Sequence, residues 1–155
     1  MTSTIDTLAD LVAQETAKGR MSFQLGYGDC DVVDIAYFAI YYRWMERTYS
    51  AWLHAHGIRS GEMQEQLGIV TVGLSSGATY HQSAHVFDRL TCSLALDHLG
   101  NSSYIIGFDF HRGDELITRG HMAFATRDLN WAKTPIPNAL SDILKTLPVR
   151  QDTTD

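Results

Sequence analysis

Residues 27–44 read YGDCDVVDIAYFAIYYRW, and they place three aspartates directly before the most aromatic segment of the chain. The aspartates are Asp29, Asp31 and Asp34, and residues 35–42, which follow them, carry no charge. Removing a carboxylate from water costs free energy unless the group is paired or serves a purpose. We therefore expect this junction to be a functional site and one of the aspartates to be catalytic.

The composition argues against several classes of protein. The length of 155 residues suggests a single domain over 1–155, and the net charge of -6 argues against partners such as nucleic acid or an anionic membrane. No apolar run approaches the ~18 residues of a membrane span, and the first residues lack the pattern of a signal peptide. The two cysteines, Cys30 and Cys92, indicate reduced thiols. These observations predict a cytoplasmic protein.

Apolar residues at helical spacing predict one long central helix over Tyr37–His56, ended by Gly57. An extra N-terminal helix is expected within residues 1–19, and a shorter helical segment over 138–147. Residues 148–155 are expected to form a disordered tail.

The remaining segments predict five strands, over Met21–Leu25, Ile69–Tyr80, Arg89–Leu99, Ser103–Phe110 and Glu115–Thr126. Short turn signals over residues 99–102 and 112–114 separate the last three and favour antiparallel hairpins. One strand, one buried helix and four consecutive strands together predict an α+β fold, with the helix on one face of an antiparallel sheet.

The aspartate stretch resembles the signature region of hotdog-fold acyl-CoA thioesterases of the 4-hydroxybenzoyl-CoA thioesterase type, G-D-x-D-x-x-G-I-V-F/Y-x-P-N-Y-x-R-W. The residues that match are Gly28, Asp29, Asp31, Ile35, Tyr41, Arg43 and Trp44. A second stretch, YHQSAHVFDRL over residues 80–90, is similar to the family's Y-x-x-P-A-x-x-G-D-x-L at Tyr80, Ala84, Asp88 and Leu90. The chain departs from both patterns: Asp34 and Phe87 replace glycines, Ala39-Ile40 replaces Pro-Asn, and Ser83 replaces a proline.

The resemblance implies a hotdog fold, in which a curved antiparallel sheet wraps around the central helix. It also implies a homodimer or homotetramer with active sites at the subunit interface. No metal or redox cofactor is implied, because coenzyme A enters only as part of the substrate.

By the same resemblance, Asp31 is the catalytic carboxylate, acting either as nucleophile or as general base on water. The backbone amide of Phe38, at the N-terminus of the central helix, is the expected oxyanion donor. The expected substrate-binding residues are Tyr37, Tyr41, Glu46, Ser102 and Ser103. Core packing, an exposed ion pair and turn chemistry are the plain structural alternatives for these five residues.

Five other residues of the two motifs carry open alternatives. Asp29 is expected to satisfy loop amides, and Asp34 to cap the helix, although a second active-site carboxylate or a solvated residue are alternatives. The pair His81 and His85 would suggest zinc on a helix, but here the segment reads as a strand end, and no metal site is expected. Cys30 has no adjacent histidine and is expected to be a plain loop residue.

The function predicted from these residues is hydrolysis of an acyl-CoA thioester to a free acid and CoA. The acyl group is expected to be aromatic, of the benzoyl type, or of medium chain length. Two alternatives remain: a hotdog protein that binds an acyl-CoA or aromatic acid without catalysis, and a thioesterase that acts on acyl-carrier proteins.

Overall fold

The computed structural model describes the backbone of residues 4–150 and the side chains of residues 7–150. The chain forms α1 Thr4–Ala17, β1 Arg20–Gln24, α2 Ile40–Ala55, α3 Met63–Leu67, β2 Val70–Tyr80, β3 Arg89–Leu99, β4 Ser103–Arg112, β5 Glu115–Arg127 and α4 Asn138–Leu144. The predicted N-terminal helix corresponds to α1, and its first three predicted positions lie outside the described residues. No helix in the described range is long and apolar enough to cross a membrane.

The described strands form one antiparallel sheet in the order β1-β3-β4-β5-β2. Short turns join β3 to β4 and β4 to β5, as the turn signals predict, while β1 and β2 form the two edges. The long helix α2 packs against one face of this sheet. The predicted α+β fold, an antiparallel sheet with one long central helix, is confirmed.

Helix α2 contributes one side to the core because its apolar residues recur every three or four positions. Its buried residues are Tyr41, Trp44, Met45, Thr48, Tyr49, Trp52 and Leu53. The helix lies close to β5 at Gly120, where an added Cβ would stand 2.7 Å from the sulfur of Met45. Glycine at position 120 therefore lets α2 lie closer to β5 than a residue with a Cβ would allow.

The predicted start of the central helix, at Tyr37, is wrong by three residues, because α2 begins at Ile40. The backbone of the preceding residues is used elsewhere: the Tyr37 amide donates to the Asp29 carbonyl at 2.9 Å, and Ala36 bridges Cys30. Residues held in such extended pairing cannot take helical dihedral angles. The helix consequently begins only after this pairing ends.

The prediction of a disordered tail from residue 148 is also wrong for residues 148–150. Val149 forms a parallel bridge with Leu96, and the Arg150 guanidinium pairs with Asp97 at 2.6 Å and with Asp109 at 2.9 Å. The Arg150 side chain is only 13% exposed, so this segment is part of the packed structure. The rest of the predicted tail, residues 151–155, lies outside the described residues.

Candidate active site

Asp31 lies in a tight turn that holds its carboxylate in place. Its amide donates to the Ile35 carbonyl at 2.9 Å, and its carbonyl accepts the Asp34 amide at 3.1 Å. The carboxylate oxygen Oδ1 accepts the Val33 amide at 2.9 Å. Within the described residues, the second oxygen, Oδ2, has no hydrogen bond, and the side chain is half-buried. The turn thus fixes the carboxylate and leaves one oxygen open for chemistry.

The two neighbouring aspartates differ from Asp31. The Asp29 carboxylate accepts the Gly26 amide at 2.9 Å, which confirms the prediction that Asp29 satisfies a loop amide. The prediction that Asp34 caps the central helix is wrong, since the residue at the N-cap is Ala39. Asp34 is exposed and occupies the turn after Asp31.

Asp34 and Phe87, which stand where the resembling family has glycine, both adopt left-handed backbone conformations. Their φ angles are +64° and +71°. A side chain in this region costs about 1–2 kcal/mol, and aspartate tolerates it better than phenylalanine. The backbone shape that favours glycine is therefore present in this chain, although the side chains differ.

A second segment docks against the aspartate turn and forms its wall. The Ala36 amide donates to the Ala84 carbonyl at 2.8 Å, and Ile35 forms an antiparallel bridge with His85. These contacts join the two stretches that the sequence comparison singled out, although about fifty residues separate them along the chain.

Asp88 and Arg112 hold this second segment together. The Asp88 carboxylate accepts the His85 amide at 2.8 Å and the Arg112 guanidinium at 2.7 Å, and Arg112 also donates to the Ser83 carbonyl at 3.1 Å. Desolvation by burial raises the pKa of Asp88, but these two hydrogen bonds and the charge of Arg112 outweigh it, so the pKa is lowered. Asp88 is therefore a structural anion, and Arg112 is its partner in this segment.

The start of α2 offers unpaired backbone donors beside this wall. Within the described residues, neither the Phe38 amide nor the Ala39 amide donates a hydrogen bond. A cavity of about 110 Å³ adjoins Phe38, and its lining residues are Ile35, Ala36, Phe38, Tyr41, Tyr80, Gln82, Ser83 and Ala84. Unsatisfied amides at a helix N-terminus stabilise negative charge. Phe38 was predicted to lie at the N-terminus of the central helix, but it precedes α2 by two residues and does not belong to its first turn.

The structure brings together some of the predicted site residues and separates others. Tyr37 is exposed beside Phe38, and Tyr41 is buried, which raises the pKa of its hydroxyl. Glu46 is exposed on α2 and accepts a hydrogen bond from the Ser50 hydroxyl. All of these lie on or just before α2.

Ser102 and Ser103 lie at the other end of the sheet within one chain. Ser103 pairs with Ala125, whereas Tyr41 contacts Phe110, seven residues further along β4. Seven residues of strand span about 23 Å. The two serines therefore cannot share a small site with Asp31 of the same chain.

The other titratable groups near the turn do not suggest a different chemistry. Burial raises the pKa of the Cys30 thiol, and the surrounding aspartates raise it further, so the thiol is not activated as a nucleophile. His85 is exposed, with its Nδ1 3.9 Å from Asp88. Among the residues that the structure describes, no three His, Cys, Asp or Glu side chains form a metal-binding group.

Residues 34–118, more than half of the chain, match the family model of the thioesterase superfamily. The chain belongs to this superfamily. The match confirms the predicted family and the prediction that the chain is an enzyme of the thioesterase class. It begins at Asp34 and does not include Asp31, so it leaves the identity of the catalytic residue open.

Solved structures share the fold of this superfamily member at low sequence identity. Slr0204, a 1,4-dihydroxy-2-naphthoyl-CoA thioesterase from Synechocystis, is 16% identical with a TM-score of 0.74, over 81% of this chain and 94% of its own. BH1999, a gentisyl-coenzyme A thioesterase, is 20% identical with a TM-score of 0.70, over 81% and 98%. The Dynemicin thioesterase is 21% identical with a TM-score of 0.73, over 85% and 98%. Comparison with curated protein sequences gives no match.

Proposed function

We propose that this protein hydrolyses an acyl-CoA thioester to a free acid and CoA, with Asp31 as the catalytic carboxylate. The observation that carries the proposal is the open Asp31 oxygen in a turn whose returning segment leads directly to the unpaired amides of Phe38 and Ala39, in a chain of the thioesterase superfamily. A carboxylate that attacks or activates water, and a backbone donor for the oxyanion, are the two elements that this route of thioester hydrolysis uses.

The chemistry proceeds by attack on the thioester carbonyl. Asp31 either attacks it directly or removes a proton from a water molecule that attacks it. The carbonyl oxygen becomes an oxyanion, which the Phe38 amide stabilises, and collapse of this intermediate breaks the C–S bond and expels the CoA thiolate. If water attacks, the product is the free acid, and the proton held by Asp31 passes to the thiolate. If Asp31 attacks, the acyl group remains on its carboxylate as a mixed anhydride, which water then hydrolyses to release the acid and restore Asp31. A thiolate is a good leaving group, so no strong general acid is needed. The reaction requires no metal or redox cofactor, and coenzyme A takes part only as substrate.

The acyl group is proposed to be aromatic, of the benzoyl type, with a medium-chain group as the alternative. Aromatic side chains, Phe38, Tyr41 and Tyr80, line the small cavity at the start of α2. Two proteins of the same fold are named for aryl-CoA substrates, which favours the aromatic class. Tyr37 and Glu46 are proposed to contact the acyl group from the exposed side of the site.

The active form is proposed to be a homodimer, or a homotetramer built from it, joined through β2. This edge strand has eleven residues, pairs with β5 alone among the described strands, and exposes Leu74 to 57%. A long edge strand with unpaired backbone N–H and C=O groups is a surface that proteins normally cover. Light scattering in solution should give twice or four times the chain mass of 17.3 kDa. A monomer at micromolar concentration would contradict this part of the proposal.

Antiparallel pairing of two β2 strands would also explain the distant serines. It places the Tyr80 end of one strand beside the Val70 end of the other. Ser102 and Ser103 lie at the Val70 end of the sheet, because Val70 pairs with Arg127 and Ser103 with Ala125. A second copy would thus carry its serines toward the Asp31 end of the first, where they could contact the CoA part of the substrate.

The cell compartment is proposed to be the cytoplasm. Both thiols, Cys30 and Cys92, are unpaired, as is usual for proteins in a reducing environment.

The test is thiol release from benzoyl-, hydroxybenzoyl-, phenylacetyl- and straight-chain acyl-CoAs, with the same acyl groups on a carrier protein as a parallel series. Preferred turnover of aryl-CoAs would support the aromatic acyl group. Preferred turnover of straight-chain esters would instead support the medium-chain alternative. Turnover only of the acyl groups on the carrier protein would identify a thioesterase of acyl-carrier proteins. Binding of acyl-CoA without turnover would identify a non-catalytic binding protein.

A further inference from the structure

Tyr80 ties the end of edge strand β2 to the start of α2. Its hydroxyl donates to the Phe38 carbonyl at 2.7 Å, across 42 residues of sequence. Among the described residues, this is the only side-chain hydrogen bond to residues 37–39. The Tyr80 ring also lies against that of Tyr41, with centroids 5.6 Å apart. The hydroxyl and the ring thus make different contacts, and Tyr80→Phe removes the first while it keeps the second.

The hydrogen bond determines where an unpaired amide points. In a planar trans peptide, the carbonyl and the following N–H point in opposite directions. The Tyr37 carbonyl accepts the Ile40 amide at 2.9 Å, which fixes the peptide unit that carries the Phe38 N–H. The Phe38 carbonyl accepts Tyr80, which fixes the next unit, the one that carries the Ala39 N–H.

We propose that Tyr80 is a positioning residue that fixes the peptide unit between Phe38 and Ala39, so that the Ala39 amide serves as a second oxyanion donor. This inference rests on the proposed function and extends it from one donor to two. Tyr80 touches no reacting atom in this scheme; it acts through the orientation of the turn.

The hydroxyl keeps its proton under assay conditions. Desolvation by burial raises the pKa of Tyr80, and the nearby Tyr42 and Tyr41 raise it further. Tyr80 therefore remains a donor to the Phe38 carbonyl at neutral pH.

The test compares Tyr80→Phe with the control Tyr27→Phe in the full chain. The first change removes the hydroxyl and keeps the ring, and the second removes a hydroxyl that makes no hydrogen bond to the described residues. Two readouts are needed: kcat and KM on the best thioester, and NMR order parameters of the Phe38 and Ala39 amides. The melting temperature of each variant is measured alongside.

We expect Tyr80→Phe to lower kcat at least about tenfold with KM unchanged, because an oxyanion donor acts only in the transition state. The order parameters of both amides should fall, while the melting temperature and the Tyr27→Phe variant stay at wild-type values. Unchanged order parameters, or a kcat equal to that of the control, would overturn the inference. So would a kcat loss that merely follows a lower melting temperature, since Tyr80 would then be a structural residue.

The NMR readout also separates this inference from the proposed function. If the wild type hydrolyses no thioester, the proposed function fails and the second oxyanion donor fails with it. Lowered order parameters would then still support the positioning of the turn by Tyr80, and unchanged ones would overturn that as well.

Discussion

Replacing Tyr104 with phenylalanine tests how the centre of the core is held together. The hydroxyls of Tyr49 and Tyr104 lie 2.6 Å apart, and the two residues are only 5% and 0% exposed. Burial raises the pKa of Tyr49, and it raises that of Tyr104 to about 12, so both hydroxyls stay protonated at neutral pH. Removing one hydroxyl leaves the other buried without its partner, which costs about 1–3 kcal/mol.

The assay is a double-mutant cycle in urea, at one fixed protein concentration because association shifts apparent stability. Tyr104→Phe should lower the free energy of unfolding by about 1–3 kcal/mol, or the melting temperature by about 2–12 °C. Adding Tyr49→Phe removes the orphaned hydroxyl, so the double variant should lose clearly less than the sum of the single variants, with a coupling of about 1–2 kcal/mol. Strictly additive losses would refute the argument.

Three further predictions concern packing, thiol reactivity and acid stability. Gly120→Ala should lower the free energy of unfolding by about 1–3 kcal/mol, because its Cβ would meet the sulfur of Met45 at 2.7 Å. The control Gly61→Ala, whose Cβ would meet no atom of the described residues within 4 Å, should change it by under about 1 kcal/mol. In native protein the Cys92 thiol should not react with Ellman's reagent and should react only after denaturation, because burial raises its pKa to about 12; labelling of the native thiol would contradict this. The lowered pKa of Asp88 contributes stability that is present above its unfolded value and lost as pH falls below about 4. Acid titration monitored by circular dichroism should therefore show a weaker pH dependence for Asp88→Asn, and an identical dependence would count against the ion pair.

The parts of the fold that the sequence predicted correctly depend on local patterns. The strands and the long helix carry their own apolar periodicity, and the turns at residues 99–102 and 112–114 specify antiparallel neighbours. The start of α2 was predicted wrongly because the segment before it is held extended, both by Asp29 and Cys30 nearby and by Ala84 and His85 far along the chain. Such long-range pairing overrides the helical periodicity of the segment.

The tail and the site show the same limit. The partners of Arg150 are Asp97 and Asp109, and nothing in the local sequence around residue 150 indicates that they will be adjacent. The contact from Tyr80 to the Phe38 carbonyl could not be predicted either, because a backbone acceptor carries no residue-type signal. The aspartate turn, by contrast, could be predicted as a functional site because its three aspartates directly precede an uncharged, aromatic segment.

The most direct test of the central proposal is kcat of Asp31→Asn against Asp34→Asn on the best thioester. Asparagine at position 31 keeps an oxygen that can accept the Val33 amide, so the turn is retained while the carboxylate is lost. Asp34 lies in the same turn and its side chain makes no hydrogen bond within the described residues, which makes it a matched control. We predict a loss of about 10²–10⁴ in kcat for Asp31→Asn and a near wild-type rate for Asp34→Asn. A wild-type rate in Asp31→Asn would contradict the account and remove Asp31 from the reaction.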